Sequence, residues 1–558
     1  MLACSTRVAR DAVIELPEAE ALAGRIVGGE GIAAADAATA EPLAKKRCVE
    51  VPEPSLDDSF SDLDRLERAL DDAPAPHCGV GVLRQLAGAL RDDDHRVTVT
   101  TMQPEPGWSC PHEIVAVEAG DTTARAFGLA IDVGTTTCVV QLVDLGANRI
   151  VGSGADYNGQ LKRGLDIISR INYAKKPERR EELRILVRGT LNAIVENLCT
   201  EHGVSSNEIG NVAVAGNTTM LHLLLGLDPE YIRLEPYTPT VNQAPVLRAD
   251  EVGLSVAPGA SVIFAPGVGS YVGGDITAGL LETELVSESE AVRLYLDVGT
   301  NGEVVVGNSE WLMACAASAG PAFEGSGVRC GLRAVPGAIE RVRIDPDSGQ
   351  AHVITIDHAR PRGICGSGMI DLLAELLSAG MVDPSGQLVP ERGNGRIHPA
   401  EDSQKHQAYT IVPASESDTG APIVLDERDV QNLLRTKAAV YSAAALMLKS
   451  LGLDFSVVEE VYVAGGFGRF LDLEQSITIG LLPDLPKERF RYLGNAALAG
   501  AQAMLVRRDA RAQVCQLADR TTYIELNTDP AYMDEYMAAL FLPHTDRSRF
   551  PSVTAGRA

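Results

Sequence analysis

The middle of the chain alternates short apolar runs with glycine turns. Phe127 to Val133 and Cys138 to Asp144 are two β-rich runs separated by Gly134, Thr135, Thr136 and Thr137, and the second run ends at the polar turn Gly146-Ala147-Asn148. Apolar runs set about one short turn predict a β-hairpin. The pattern returns at Arg293 to Gly307, where Gly299, Thr300, Asn301 and Gly302 make the turn. A second shared pattern follows each hairpin at a distance. Asn211 to Ala215 leads through Gly216 into Asn217-Thr-Thr-Met220, and Glu460 to Ala464 leads through Gly465 into Gly466-Phe467-Gly468. Both predict a buried strand, a glycine turn and the start of a helix. Two copies in the same order imply an internal duplication.

Helical spacing marks Pro177 to His202, where Leu183, Leu186, Leu191, Ile194 and Leu198 fall near one face and would pack on the first sheet. Gly273-Gly274-Asp275 opens an apolar helix from Ile276 to Leu281. Asp275 is explained equally by N-capping and by a role in orienting an attacking water or a metal. Gly363 to Gly368 leads into an amphipathic helix, Met369 to Leu377, an entry suited to a phosphate or ribose or to a plain tight turn. Residues 384 to 422 predict an irregular insertion or a β excursion. Asp429 to Leu451 is a long Ala-rich helix whose small residues permit packing between lobes, and a second Ala-rich helix starts at Asn495 and crosses near the hinge. Ahead of the duplication, Leu56 to Leu70 and Val80 to Leu90 have helical spacing, while Val97 to Thr101 and Glu113 to Glu118 alternate as strands. Val13 to Pro17 reads as one further strand. The expected organisation is an N-terminal stretch over 1–40, a small α/β domain over 41–125, a first lobe over 126–285 and a second lobe over 286–558.

The turns carry the candidate chemistry. A Gly-Thr loop that aims backbone N–H groups and hydroxyls at one spot is an anion cradle. Asp132 and Asp297 stand just before the two loops, where a carboxylate can hold hydrated Mg²⁺ over bound phosphates. The net charge of −27 excludes nucleic acid, whose phosphates such a chain repels, but not a nucleotide held locally. No apolar stretch reaches the roughly eighteen residues that a membrane helix needs. Residues 1 to 20 carry Arg7, Arg10, Asp11 and Glu15 in place of an apolar signal region, so a cytoplasmic protein is expected. Ten cysteines are scattered with no Cys-x-x-Cys pair, a spacing of reduced thiols rather than of a complete local iron–sulfur or zinc motif. The run of aspartates between Asp57 and Asp94 reads as a solvated face, with docking to a basic partner as the other reading.

Taken together, the two Asp-Val-Gly-Thr loops and Val461 to Phe467 resemble the first phosphate, second phosphate and adenosine motifs of the actin, sugar-kinase and heat-shock-70 ATPase superfamily. Gly216 to Met220, Gly267 to Asp275, Pro321 to Gly325, Gly363 to Gly368 and Gly465 to Gly468 bring the resemblance closer, to the ATP-dependent reductive activators of corrinoid proteins. The resemblance covers most of residues 126 to 505 and implies two actin-like, ribonuclease H-like lobes behind a linker and a small α/β domain. It implies ATP and Mg²⁺ as cofactors. Gly134, Thr135, Thr136, Thr137, Gly299, Thr300, Asn301 and Gly302 would hold phosphates, Gly465, Gly466 and Phe467 would lie against adenosine, Asp132 and Asp297 would stand around the metal, and Asp132, Asp275 and Asp297 would be the catalytic carboxylates. The implied activity is reduction of cob(II)alamin to cob(I)alamin on a corrinoid protein of a methyltransferase system. A ferredoxin-type donor would supply the electron, and a homodimer remains open. Leu2-Ala3-Cys4 resembles the close of the family's ferredoxin domain, so Cys4 would be the fourth ligand of a [2Fe–2S] cluster only where an upstream domain supplies the rest. A small-molecule kinase and a nucleotide-sensing scaffold stand as the alternatives, and a radical dehydratase activator is disfavoured by the missing paired cysteines.

Overall fold

The computed structural model describes residues 40–555 except 73, 300, 402 and 466–470. Cys4, the Val13–Pro17 strand, Thr300, Gly466 and Phe467 therefore lie outside the described residues. The small domain has the order β1 (Ala44–Glu50), α1 (Asp62–Leu70), β2 (His77–Cys78), α2 (Val80–Asp92), β3 (Arg96–Met102) and β4 (Glu113–Ala119), with sheet order β1-β3-β4-β2. Leu66, Leu70, Leu86, Leu90, Val97, Val99 and Ile114 form its core. Helix α1 starts six residues later than the apolar spacing suggests. Ser61 caps it, accepting from Asp64 N at 3.2 Å, and the Asp64 carboxylate returns to the Ser61 N–H at 3.0 Å. Strand β1 went unread because its sequence, Ala-Lys-Lys-Arg-Cys-Val-Glu, is mostly charged, which suits an edge strand.

The first lobe runs β5 (Phe127–Val133), β6 (Thr137–Asp144), β7 (Arg149–Tyr157), α3 (Ile167–Tyr173), α4 (Pro177–His202), β8 (Ile209–Gly216), α5 (Thr218–Leu225), β9 (Leu247–Arg248), α6 (Ala249–Val252), β10 (Ser261–Phe264) and α7 (Gly274–Leu280). Its sheet order is β7-β6-β5-β8-β10-β9, with β5 parallel to β8. Helix α4 has the expected bounds because Pro177 occupies its first turn and Gly203 ends it in the left-handed conformation. It packs on β6 and β7.

The second lobe repeats this start with β11 (Arg293–Val298), β12 (Gly302–Gly307) and β13 (Leu312–Ala317). Two small three-stranded sheets follow: β14 (Ala338–Ile344), β15 (Ala351–Thr355) and β16 (Gly363–Ile364), then, after α8 (Gly366–Ser378), β17 (Ile397–Ala400), β18 (Ser403–Val412) and β19 (Ile423–Asp426). The second of these is the β excursion. The lobe closes with α9 (Glu427–Ser450), β20 (Glu460–Ala464), α10 (Leu473–Thr478), β21 (Phe490–Gly494), α11 (Ala496–Val506), α12 (Arg508–Arg520), β22 (Thr521–Tyr523), α13 (Pro530–Ala539) and α14 (Pro551–Ala555). The main sheet is β21-β20-β11-β12-β13-β22, and β11 runs parallel to β20 as β5 does to β8.

One helix assignment changes. Helix α9 packs on β12, β13 and α13, inside its own half, so its small residues serve a local core and not an inter-lobe contact. The crossing falls to α11, which lies on β5 and β8 and against α7. Ala130, Ala213 and Ala215 of the first sheet share one buried cluster with Ile276, Ala496, Ala501 and Met504, and with Tyr295, Val305 and Ala314 of the second. Gly500 permits the close approach: a Cβ there would stand 2.0 Å from the Ala278 carbonyl oxygen.

Candidate nucleotide site

The hairpin registers set the carboxylates. Val133 pairs with Cys138 across β5 and β6, so the connecting loop is Gly134 to Thr136 and Thr137 already opens β6. Val298 pairs with Gly302 across β11 and β12, which leaves 299–301 as the second loop and makes Gly302 the first residue of its strand. Asp132 and Asp297 are each the next-to-last residue of their strand. Gly465 follows β20, and its N–H donates to the Gly494 carbonyl at 3.1 Å.

Asp132 and Asp297 keep some exposure, yet burial is the leading cause that raises both, Asp132 to about 6 and Asp297 to about 7. The Asp132 charge adds to the rise at Asp297. Asp275 is also raised, first by burial and then by the charges of Asp297 and Asp132. These couplings bring all three predicted carboxylates into one electrostatic neighbourhood. Asp275 does not cap its helix, since Gly273 holds the cap position and the Asp275 carboxylate accepts from Ile276 N at 3.0 Å.

Four further residues belong to this neighbourhood. Glu303 lies directly opposite Asp297 in the β11/β12 register, is buried, and is pushed well above the usual carboxylate range by burial and by Asp275 and Asp297. Counting outward from the Gly-Thr turn would have found this cross-strand pair of like charges, which is unfavourable unless a cation serves both. Glu324 bridges the loops: Thr136 Oγ1 donates to its Oε2 at 3.3 Å, and a Cβ on Gly299 would lie 3.5 Å from its Oε1. Asn495 donates from Nδ2 to Asp132 Oδ2 at 2.8 Å while its Oδ1 caps α11 by accepting from Leu498 N at 2.9 Å. Glu324 lies in the Pro321 to Gly325 motif and Asn495 opens a helix, but no local signal gives either its partner, which it meets across a long sequence separation. Tyr295, fully buried, donates its hydroxyl to Asp297 Oδ2 at 3.3 Å.

A divalent cation fits this donor set. Burial and the charges that Asp132, Asp275 and Asp297 exert on one another and on Glu303 raise these carboxyls, a repulsion that protons or a cation would relieve. Among the described residues no three such side chains are close enough to chelate a metal by themselves.

The sign of the pH effect follows. Carboxylates raised in the fold bind protons more tightly folded than unfolded, so their contribution to stability falls as pH rises from the ordinary carboxylate range near 4 through about 7. Mg²⁺ offsets that loss only where the carboxylates are ionised. The melting temperature should therefore gain more from ~10 mM Mg²⁺ at pH ~8 than at pH ~5.5. An equal gain at both values in differential scanning calorimetry would count against the cluster as the metal site.

Comparison with known proteins places the chain. Family models match it in succession: "RACo linker region" over residues 33–124, "RACo middle region" over 127–288 and "C-terminal domain of RACo the ASKHA domain" over 291–554. The chain belongs to the RACo family. Among curated proteins, the corrinoid activation enzyme RamQ of Eubacterium limosum is 34% identical over 419 residues, spanning 74% of this chain and 69% of RamQ. The [Co(II) methylated amine-specific corrinoid protein] reductase of Methanosarcina barkeri is 22% identical over 450 residues, with 74% and 76% covered. A solved structure described as a reductive activator for corrinoid, iron-sulfur protein matches with a TM-score of 0.84 and 43% identity, covering 93% of this chain and 82% of that one. This RACo-family chain is thus an enzyme with an actin-like ATPase domain, as its motifs predict. Its nine described cysteines are free, and among the described residues no helix is long and apolar enough to cross a membrane.

Proposed function

We propose that this protein is an ATP-driven reductive activator of a corrinoid protein in a methyltransferase system, acting in the cytoplasm. The observation that carries the nucleotide half is the convergence of two duplicated Gly-Thr hairpins, one from each half, on a single carboxylate cluster bridged by Glu324. Gly134 to Thr137 and Gly299 to Gly302 hold the phosphates, Gly465 to Phe467 face the adenosine, and Asp132 and Asp297 orient the water shell of Mg²⁺. When bound, the metal neutralises phosphate charge and polarises the terminal phosphoryl group. Asp275, whose carboxyl is raised by burial and by the charges of Asp297 and Asp132, would orient the attacking water or the metal.

The corrinoid half rests on the family. One electron from a ferredoxin-type donor converts cob(II)alamin to cob(I)alamin, and ATP can drive that change only if one nucleotide state of the protein binds the cob(II)alamin partner better than another. Linkage makes the effect reciprocal, so a corrinoid partner alters nucleotide affinity. Cys4 contributes a [2Fe–2S] ligand only if further ligands precede it.

The test is phosphate release with and without corrinoid protein poised as Co(II), beside a panel of sugars and small acids. Stimulation by the corrinoid protein alone is expected. The same raised Asp275 would also suit a general base for a hydroxyl substrate, so phosphorylation of a panel member with no corrinoid response would make the protein a kinase.

A further inference from the structure

The first phosphate loop is tied back from behind by two buried side chains. Asn158 Nδ2 donates to the Gly134 carbonyl at 2.9 Å, the Asn158 backbone N–H donates to the Thr136 carbonyl at 2.9 Å, and between them Arg170 Nη2 donates to the Thr135 carbonyl. Three successive carbonyls are thus turned into the body of the lobe. In a trans peptide the carbonyl of one residue and the N–H of the next point in opposite directions. The N–H groups of Thr135 and Thr136 are therefore turned the other way, toward the side from which Thr136 Oγ1 reaches Glu324 of the opposite half.

The bracket is itself held rigidly. Asn158, Gln160 and Arg170 are fully buried. Asn158 Oδ1 accepts from Gln160 N at 3.1 Å, which fixes the amide with its NH₂ toward Gly134. Arg170 Nε donates to the Gly164 carbonyl at 2.9 Å, and its Nη1 donates to Gln160 Oε1 at 3.1 Å. Among the described residues no carboxylate stands within ion-pair distance of Arg170; burial lowers it to about 10, the charge of Asp166 offsets part of that shift, and it stays charged at neutral pH. A buried guanidinium whose donors end on carbonyl and amide oxygens and on the Met220 sulfur is costly unless further negative charge offsets it. The anion here would be the phosphate on the far side of the loop.

We propose that Asn158 and Arg170 are positioning residues for the nucleotide phosphates: they hold the loop carbonyls back, present the Thr135 and Thr136 amides as an anion cradle, and place a permanent positive charge behind it. The assignment rests on the nucleotide reading of the site. Neither residue touches substrate, so the effect must show as selectivity for phosphate and not as a general loss of binding.

Calorimetric affinities for Mg-ATP, Mg-ADP and adenosine on the full chain test it, with the melting temperature measured beside each variant. Arg170→Gln should weaken Mg-ATP and Mg-ADP about tenfold or more while adenosine changes less than about twofold, a size set by hydrogen bonds to charged groups. Arg170→Lys, which keeps the charge and one donor, should recover most of the loss. Asn158→Asp, which keeps the cap on Gln160 but removes the donor to Gly134, should act in the same direction and gives a second reading if Arg170→Gln fails to fold. Equal losses for ATP and adenosine, or unchanged ATP affinity in both variants, would overturn the assignment. A wild-type protein indifferent to ATP would instead overturn the nucleotide reading beneath it.

Discussion

Asp297→Asn should lower ATP turnover by about a hundredfold or more and at the same time raise the melting temperature of the metal-free protein. The amide keeps the shape of the carboxylate and can still accept from the Tyr295 hydroxyl, so the change is one of charge. Asp297 faces Glu303 across the strand pair, and its carboxyl is held up at about 7 by burial and by the charges of Asp132 and Glu324. At pH ~8 the wild-type side chain is ionised against like charges, and removing the charge relieves them. Catalysis loses what the fold gains: a carboxylate that orients the metal's water shell contributes a transition-state interaction of the size for which single deletions cost about 10²–10³-fold. Phosphate release and calorimetry on the same preparation check both signs. Turnover within about tenfold of wild type would remove Asp297 from the metal shell.

Gly134→Ala should abolish measurable ATP binding, whereas Gly299→Ala should leave it within about threefold. The two glycines hold the same place in the duplicated loops, and their surroundings differ. A Cβ on Gly134 would sit 2.3 Å from the Thr137 carbonyl oxygen, a backbone atom fixed by the β5/β6 hairpin, so the loop must open and its amides turn away. A Cβ on Gly299 would meet Glu324 Oε1 at 3.5 Å, an ordinary contact with the end of a side chain that can shift. Isothermal titration of both variants separates close packing at one loop from a general intolerance of change. Loss of binding in both, or in neither, would show that the contact at Gly134 does not shape the cradle.

What could be read in the sequence was local. Both hairpins, the first strand-glycine-helix unit and helix α4 follow from turn residues, a proline in the first turn and a glycine beyond the last, all within a few positions of what they determine. Helix α1 began late because a polar pair, Ser61 and Asp64, competes with the apolar spacing that extends upstream. Helix α9 showed its small residues but not the surface they meet, since composition says how close a neighbour can come and not which neighbour it is. Asp132, Asp275 and Asp297 stood in motifs. Glu324 stood in the Pro321 to Gly325 motif and Asn495 at a helix start, but neither pattern says that it reaches the cluster, a contact that only the folded chain creates. Glu303 lies between these cases: the hairpin register contained it, one count beyond the loop.

Helix α11 has a consequence for how the protein is made. It covers β5 and β8, strands that end at Val133 and Gly216, yet it begins only at Ala496. At roughly 5–20 residues per second, the ribosome delivers the missing helix tens of seconds after the sheet it completes. Through that interval the alanine-lined face of the first lobe has no permanent cover. A chain released before Asn495 would keep the core between the first sheet and α4, where Leu129, Ile131, Leu183 and Leu191 pack, but would leave the opposite face of that sheet without α11, so a cut at the duplication boundary exposes an apolar surface on the first lobe.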